Sequence, residues 1–454
     1  MFDFTKIVEN VPDYTEFLTV DEMDANSQQL AKDHPDVVSV KVAGYSRKGH
    51  PILCLKIGSG SKNAFFFGCP HPNEPIGAMT VEYFSKALAE DREFLESTDY
   101  TWYMIKSIDP DGTKLNEGWF KGPFSLTNYL THYFRPASYE QAEWTFPIKY
   151  KEYEFTKTIP ETKVLMDIIE EVKPDFMYSL HNAGFGGTYW YISKDMPQIW
   201  EGFYEATKKR DIPLHLGEPE INFITPFGQA IYPMPNTKEV YDYQEEYSEK
   251  SPAETMESGD SSAGYVETLG LNTVTLVTEM PYFTEPRIQS DKLMDFTRKE
   301  AALKALDVSR ERALKLKEVY EPVQSLMSDD NPFSKMTDMV LKHNEDSYKT
   351  QKKFIESSKD YDELCKESEA FDNLEIPKFY ALFYWGNLRR GCDYELEKGV
   401  TEGKDLIVKT RDLAQAEFDR CAAIAEADLD YTVIPIKALV QVQLESGLLV
   451  ASNL

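Results

Sequence analysis

Cysteine is scarce in this chain. Five cysteines stand among 454 residues, at positions 54, 69, 365, 392 and 421, odd in number and widely scattered. A secreted framework held by disulfides would carry an even and denser set, so the sequence reads as a protein of a reducing compartment, the cytoplasm. Long apolar runs are missing too: nothing approaches the roughly 18 uninterrupted apolar residues of a membrane span. Residues 1–18 mix acids into their apolar positions and lack a basic start, which argues against a secretory leader. Positive charge is in deficit, with 49 basic against 77 acidic side chains and a net charge of −28. That balance excludes nucleic acid and anionic membrane as expected partners, because both are polyanions. No internal repeat and no low-complexity tract interrupts the chain. What is present is ample core material, 42% hydrophobic and 13% aromatic, which excludes a disordered acidic tail protein.

The length suggests about three domains, or one large domain with an extension. Up to about residue 290, short β-prone runs alternate with helical stretches. Residues 37–42 (VVSVKV), 52–57 (ILCLKI), 64–67 (AFFF), 101–105 (TWYMI), 176–180 (FMYSL) and 272–278 (NTVTLVT) read as strands. Residues 80–95 and 162–172 have helical spacing. The expected fold is therefore α/β, a sheet with helices on both faces. Beyond residue 290 strand-like text almost vanishes and charged helical text takes over, so residues 1–290 are expected as a catalytic domain and 291–454 as an all-helical extension. The aromatic segment 379–385 (FYALFYW) must be buried, against other helices, the first domain or a second copy. A homodimer through the extension is the corresponding expectation.

Histidine is rare, seven in all, and one stands in an informative place. The run Ala64–Phe67 ends in Gly-Cys-Pro-His71-Pro-Asn-Glu74, an H-x-x-E at the mouth of a strand, where ligands of open α/β sheets gather. An imidazole and a carboxylate so spaced can share one zinc ion. The motif is short, and the chain carries a second copy, His215-Leu-Gly-Glu218, without a comparable strand and not expected to touch a metal. His181 ends the strand at 176–180 and opens onto the small-residue loop Asn182-Ala-Gly-Phe-Gly-Gly187, making it the natural third ligand. Glu279 follows the run at 272–278. A carboxylate at the end of a buried strand is costly unless paired or working, so Glu279 is the candidate general base.

Together His71, Glu74, His181 and Glu279 resemble the zinc carboxypeptidases, the funnelin-type metallocarboxypeptidase family, with intervals of 110 residues from His71 to His181 and 98 from His181 to Glu279. The second interval is long, and residues 213–260 are read as inserted material. The turn Gly44–Ile52 and Asp109-Pro-Asp-Gly112 also look like family segments, the latter with Asp in place of Asn. The resemblance spans about residues 30–290. It implies a mixed sheet of about eight strands flanked by helices and one zinc on His71, Glu74 and His181. It also implies Glu279 as the residue that takes a proton from water, and a peptide or amide substrate losing its C-terminal residue.

Two departures qualify this. The family's Asn-Arg pair for the terminal carboxylate is absent; between Glu74 and Glu279 the only arginines are Arg92, Arg135 and Arg210. Arg92 and Arg210 read as surface residues, leaving Arg135 as the anion clamp, its planar fork suited to a carboxylate. The family's mobile tyrosine is missing as well, with Tyr265 the nearest substitute. Arg135, Tyr265 and Asn182 are thus the expected substrate contacts. The runner-up function is a deacylase of small N-acyl amino acids, since His71-Pro-Asn-Glu74 also resembles the aspartoacylase and succinylglutamate desuccinylase branch. A zinc-binding scaffold without turnover is the third.

Overall fold

The computed structural model describes residues 2–454 and gathers the apolar runs into one mixed eight-stranded sheet. In chain order the strands are β1 (Val38–Tyr45), β2 (Pro51–Ile57), β3 (Lys62–Gly68), β4 (Tyr100–Ile105), β5 (Phe176–His181), β6 (Tyr189–Ile192), β7 (Ile231–Pro233) and β8 (Val274–Glu279). Across the sheet they run β1-β2-β4-β3-β5-β8-β6-β7. The middle four, β4, β3, β5 and β8, are mutually parallel, so their carboxyl ends share one edge. Ala64 to Phe67 are all fully buried, as an apolar run without polar alternation demands of a strand covered on both faces. Phe65 and Phe67 point to one face and Phe66 to the other, where each meets a separate core.

Helices cover both faces. α1 (Ile76–Glu90) follows β3, α2 (Pro160–Val172) precedes β5, and α3 (Pro197–Lys208) follows β6. The helical spacing at 80–95 breaks at Asp91, whose carboxylate accepts from Phe94 N at 3.0 Å and caps a separate helix, Arg92–Thr98. α1 lies close on the sheet because Gly77 leaves room: a Cβ there would stand 2.5 Å from Leu180 Cβ. The turn between β1 and β2 is tied down by Arg47, which pairs with Glu161 of α2 at 3.2 Å and with Asp109 at 3.5 Å.

The later part of the chain forms α4 (Arg298–Gln324), α5 (Pro332–Ser357), α6 (Glu367–Leu374), α7 (Ile376–Glu397), α8 (Lys404–Asp428) and α9 (Ile436–Ser452). It is not purely helical, as expected above. Leu293–Thr297 pairs with Leu364–Lys366, and Thr432–Val433 pairs with Phe283–Thr284. These pieces are too short and too exposed to carry a period-2 signal, which is why the sequence hides them.

The expected boundary at 290/291 has one hydrophobic core on both sides of it. Phe66, Tyr178 and Trp190 of the sheet and Leu444, Leu448 and Val450 of α9 belong to the same buried cluster. Polar groups of α9 are satisfied across that contact, Trp190 Nε1 donating to Ser446 Oγ at 3.0 Å. The aromatic segment in α7 is likewise covered from within the chain. Phe379 stacks parallel to Tyr129 at 6.2 Å, and Phe383 meets Tyr133 edge-on at 4.7 Å. Burying these rings needs no second copy.

Close packing of α9 makes one position diagnostic. A Cβ on Gly447 would fall 2.6 Å from Tyr178 Cε1, and Tyr178 cannot swing aside while its hydroxyl is bonded to Thr278 and to Gln443 O. Gly447→Ala is expected to destabilise the whole chain by about 1–3 kcal/mol, read as a lower urea midpoint in a single transition.

Candidate metal centre

Three segments deliver the site to the common edge of the parallel strands. β3 ends at Gly68, and the chain turns through Cys69 and Pro70 to His71; Glu74 N closes that turn on His71 O at 3.0 Å. Glu74 thus stands just ahead of α1. His181 and Glu279 are the last residues of β5 and β8, paired with each other in the ladder. All four are buried: His71 2%, Glu74 1%, His181 5% and Glu279 9% exposed.

The side chains converge. His181 Nδ1 lies 3.1 Å from Glu74 Oε2 and 3.8 Å from Glu279 Oε1, and the two imidazole rings are 4.9 Å apart. One ligand atom from each of His71, Glu74 and His181 lies within 4.8 Å of the others. His71 Nδ1 and Glu74 Oε2 are buried and make no hydrogen bond, a costly state that a cation between them removes. On the far side of its ring, His181 Nε2 meets Ser179 Oγ at 2.9 Å. With Nε2 carrying the proton toward that hydroxyl, Nδ1 presents its lone pair to the group.

The electrostatics suit a dication. Burial, then the neighbouring Arg135 and His181, holds His71 well below the usual imidazole range, so it stays neutral and able to ligate. Desolvation by burial pushes the carboxyls of Glu74 and Glu279 up, and at Glu279 the neighbouring Glu74 charge adds to the rise. Two neutral imidazoles and one carboxylate form a zinc donor set with room for a further position.

The group opens into a cavity of about 760 Å³. Arg135 lines it, its Nη1 donating to Glu74 Oε1 and its Nε to Gln141 Oε1, each at 3.3 Å. Asn182 lines it too, but its Oδ1 is engaged by Ile76 N at 3.2 Å and Tyr282 OH at 3.1 Å, which fixes the loop after His181. Tyr265 departs from expectation. It does not line this cavity: its ring packs on Phe146 at 5.3 Å and its hydroxyl donates to Glu170 at 2.5 Å, on the opposite face of the sheet. Arg92 pairs with Asp36 as a surface residue would. Arg210 does not; its side chain is 6% exposed and bonds Glu445 of α9 at 2.7 Å.

Sequence reasoning missed much of the wall. Tyr189 and Tyr191 of β6 both donate to Glu220, at 3.2 and 3.3 Å, inside the cavity. Their i, i+2 spacing on a strand was the available signal. Tyr380, Phe379 and Asp372 come from the helical extension and complete the opposite wall. The second H-x-x-E is also there, engaged otherwise: His215 Nε2 meets Asp372 Oδ2 and Glu218 O, each at 3.0 Å, while the Glu218 carboxylate holds Arg298.

Comparison with known proteins agrees with this geometry. The family profile described as zinc carboxypeptidase matches residues 23–263, just over half of the chain, and takes in His71, Glu74 and His181. The chain belongs to the zinc carboxypeptidase family. Among curated relatives, carboxypeptidase B of Astacus astacus is 30% identical over 105 residues, 22% of this chain and 35% of that protein. Zinc carboxypeptidase A 1 of Anopheles gambiae is 31% identical over 128 residues, 25% of this chain and 29% of that protein. The chain thus aligns with about a third of the length of these relatives. Among solved structures, bovine thrombin-activatable fibrinolysis inhibitor, in complex with a tick carboxypeptidase inhibitor, superposes with a TM-score of 0.38 at 13% identity. That alignment covers 58% of this chain and 86% of the other.

The chain purified with zinc is expected to hold one ion. His71→Ala should lose it, and Ser179→Ala should weaken it roughly tenfold by freeing the His181 ring. Elemental analysis and chelator competition check both; full zinc occupancy in His71→Ala would remove that residue from the ligand set.

Proposed function

We propose that the chain is a zinc-dependent hydrolase that removes the C-terminal residue of a peptide. The observation that carries this reading is the pairing of Glu279 with His181 at the strand ends, which sets an unligated carboxylate 3.8 Å from a ligand nitrogen. Zinc, when bound, supplies a Lewis acid that lowers the pKa of water and polarises a carbonyl. Glu279 takes a proton from the attacking water at a carboxylate oxygen and delivers it to the leaving amine, one group in two roles. Burial holds its proton affinity up, as a base that must also serve as an acid requires. Arg135 stands beside Glu74, where its guanidinium can steady charge developing on the carbonyl oxygen.

No other arginine and no lysine lines the cavity. Arg135, nearest the centre, is taken as the contact for the substrate's carboxylate as well, with His215, held protonated by Asp372, as a further cation on the wall, and Asn182 supports the site by shaping its loop. The part of the substrate upstream of the cleaved bond lies along the aromatic wall that Tyr380 and Phe379 bring from the extension. Deacylation of small N-acyl amino acids gains no separate support, since the family match and the aromatic wall both favour a peptide. Among the described residues no helix is long and apolar enough to cross a membrane. The five cysteines are all unpaired and buried, which supports a reducing, cytoplasmic setting.

Three measurements test this. Glu279→Gln should lower kcat by about 10³-fold with zinc retained; unchanged turnover would strip Glu279 of its role. Arg135→Met should lower kcat by about 10²-fold, and peptides with a free terminal carboxylate should be cleaved far faster than their amides. Equal rates on acid and amide would remove the exopeptidase reading. Tyr380→Ala should raise KM for peptides with an aromatic penultimate residue and leave kcat in place, checked by steady-state kinetics on a matched peptide pair.

A further inference from the structure

The most enclosed polar contact between the extension and the site involves Gln443 of α9, a residue outside the matched family segment. It is fully buried. Its Nε2 donates to the backbone carbonyl of His181 at 3.0 Å and reaches that of Thr278 at 3.5 Å. Its Oε1 accepts from Thr80 Oγ1 of α1 at 2.8 Å. Its own carbonyl accepts from Tyr178 OH at 2.8 Å, and that hydroxyl also meets Thr278 Oγ1 at 2.6 Å. The orientation of the amide follows from the network: flipped, Gln443 Oε1 would face two carbonyl oxygens and leave them without a donor.

We propose that Gln443 is a positioning residue for the metal centre, so that the zinc affinity of the site depends on the C-terminal helix. One amide group spans the ends of β5 and β8, holding the main chain of a ligand, His181, and of the residue before the base, Glu279. Ser179 fixes the His181 ring from its other edge, and Gln443 fixes the backbone from which that ring projects. Thr80 orients the amide from α1, the helix that Glu74 immediately precedes. Segments bearing Glu74, His181 and Glu279 thus meet at one side chain that touches neither substrate nor metal. Without its donors the two strand ends lose a shared anchor, and the donor set relaxes from the geometry a small dication requires.

The inference rests on the assignment of His71, Glu74 and His181 as zinc ligands. The test uses the full chain and measures zinc dissociation constants by chelator competition, alongside urea unfolding of the metal-free protein. Gln443→Leu keeps the side chain's size and removes its polar ends; Thr80→Val leaves Gln443 in place and removes its orienting hydroxyl. Ser446→Ala, three residues along the same helix, removes a bond to Trp190 and touches neither strand end. Gln443→Leu is expected to bind zinc at least tenfold more weakly, Thr80→Val several-fold more weakly, and Ser446→Ala like the parent. Should Gln443→Leu not fold, Thr80→Val carries the comparison. Parental zinc affinity in both Gln443→Leu and Thr80→Val, or an equal loss in Ser446→Ala, overturns the proposal. A parent chain that binds no zinc overturns the ligand assignment as well.

Discussion

Two histidines and two glutamates buried within a few ångströms of each other are a costly arrangement that a compensating cation relieves. Desolvation raises the carboxyls and lowers the imidazoles, and two ligand atoms are left with no partner at all. The rest of the molecule answers this constraint. Parallel strands bring the carriers to one edge, the ladder sets Glu279 opposite His181, and a turn without regular structure swings His71 and Glu74 over them. A divalent ion held by His71, Glu74 and His181 would offset this cost, and the same burial raises the proton affinity of Glu279, the proposed base.

The helical extension is part of this arrangement. α9 fills one face of the sheet and reaches the backbone of the strand ends, while α6 and α7 bring Asp372, Phe379 and Tyr380 to the cavity wall. The family segment holds the zinc ligands, yet Glu279 and the far wall lie beyond it. The cavity thus has walls of two origins: the polar strand ends of the sheet, and an aromatic face brought by the helical extension.

The positive charge of the cavity is as sparse as that of the whole chain. Against the carboxylates of Glu74, Glu143, Glu220 and Glu279 stands one arginine, Arg135, already paired to Glu74. Beside the candidate metal centre that guanidinium is the one arginine, and His215, paired with Asp372, stands farther along the wall. Position within the cavity must then come mainly from shape and from the tyrosine-lined walls.

How much of this is legible in a linear chain depends on the range of the interaction responsible. β3, β4, β5 and β8 were readable because burial on both faces writes uninterrupted β-prone runs, β1 and β2 from their β-branched residues alone, and His71, His181 and Glu279 because each follows such a run. Tyr265 misled because it was only the tyrosine nearest to the place a family role requires, and its side chain packs away from the cavity, on Phe146 and Glu170. Arg210 misled through its Lys-Lys-Arg setting, since only the docked α9 supplies the Glu445 that accepts its charge. Local pattern and strand-end chemistry, which act over a few residues, determined the ligands, the base and the α/β class. The register that pairs Glu279 with His181, the Gln443 anchor and the aromatic wall were decided by contacts across as many as 363 residues of chain, which no local periodicity encodes.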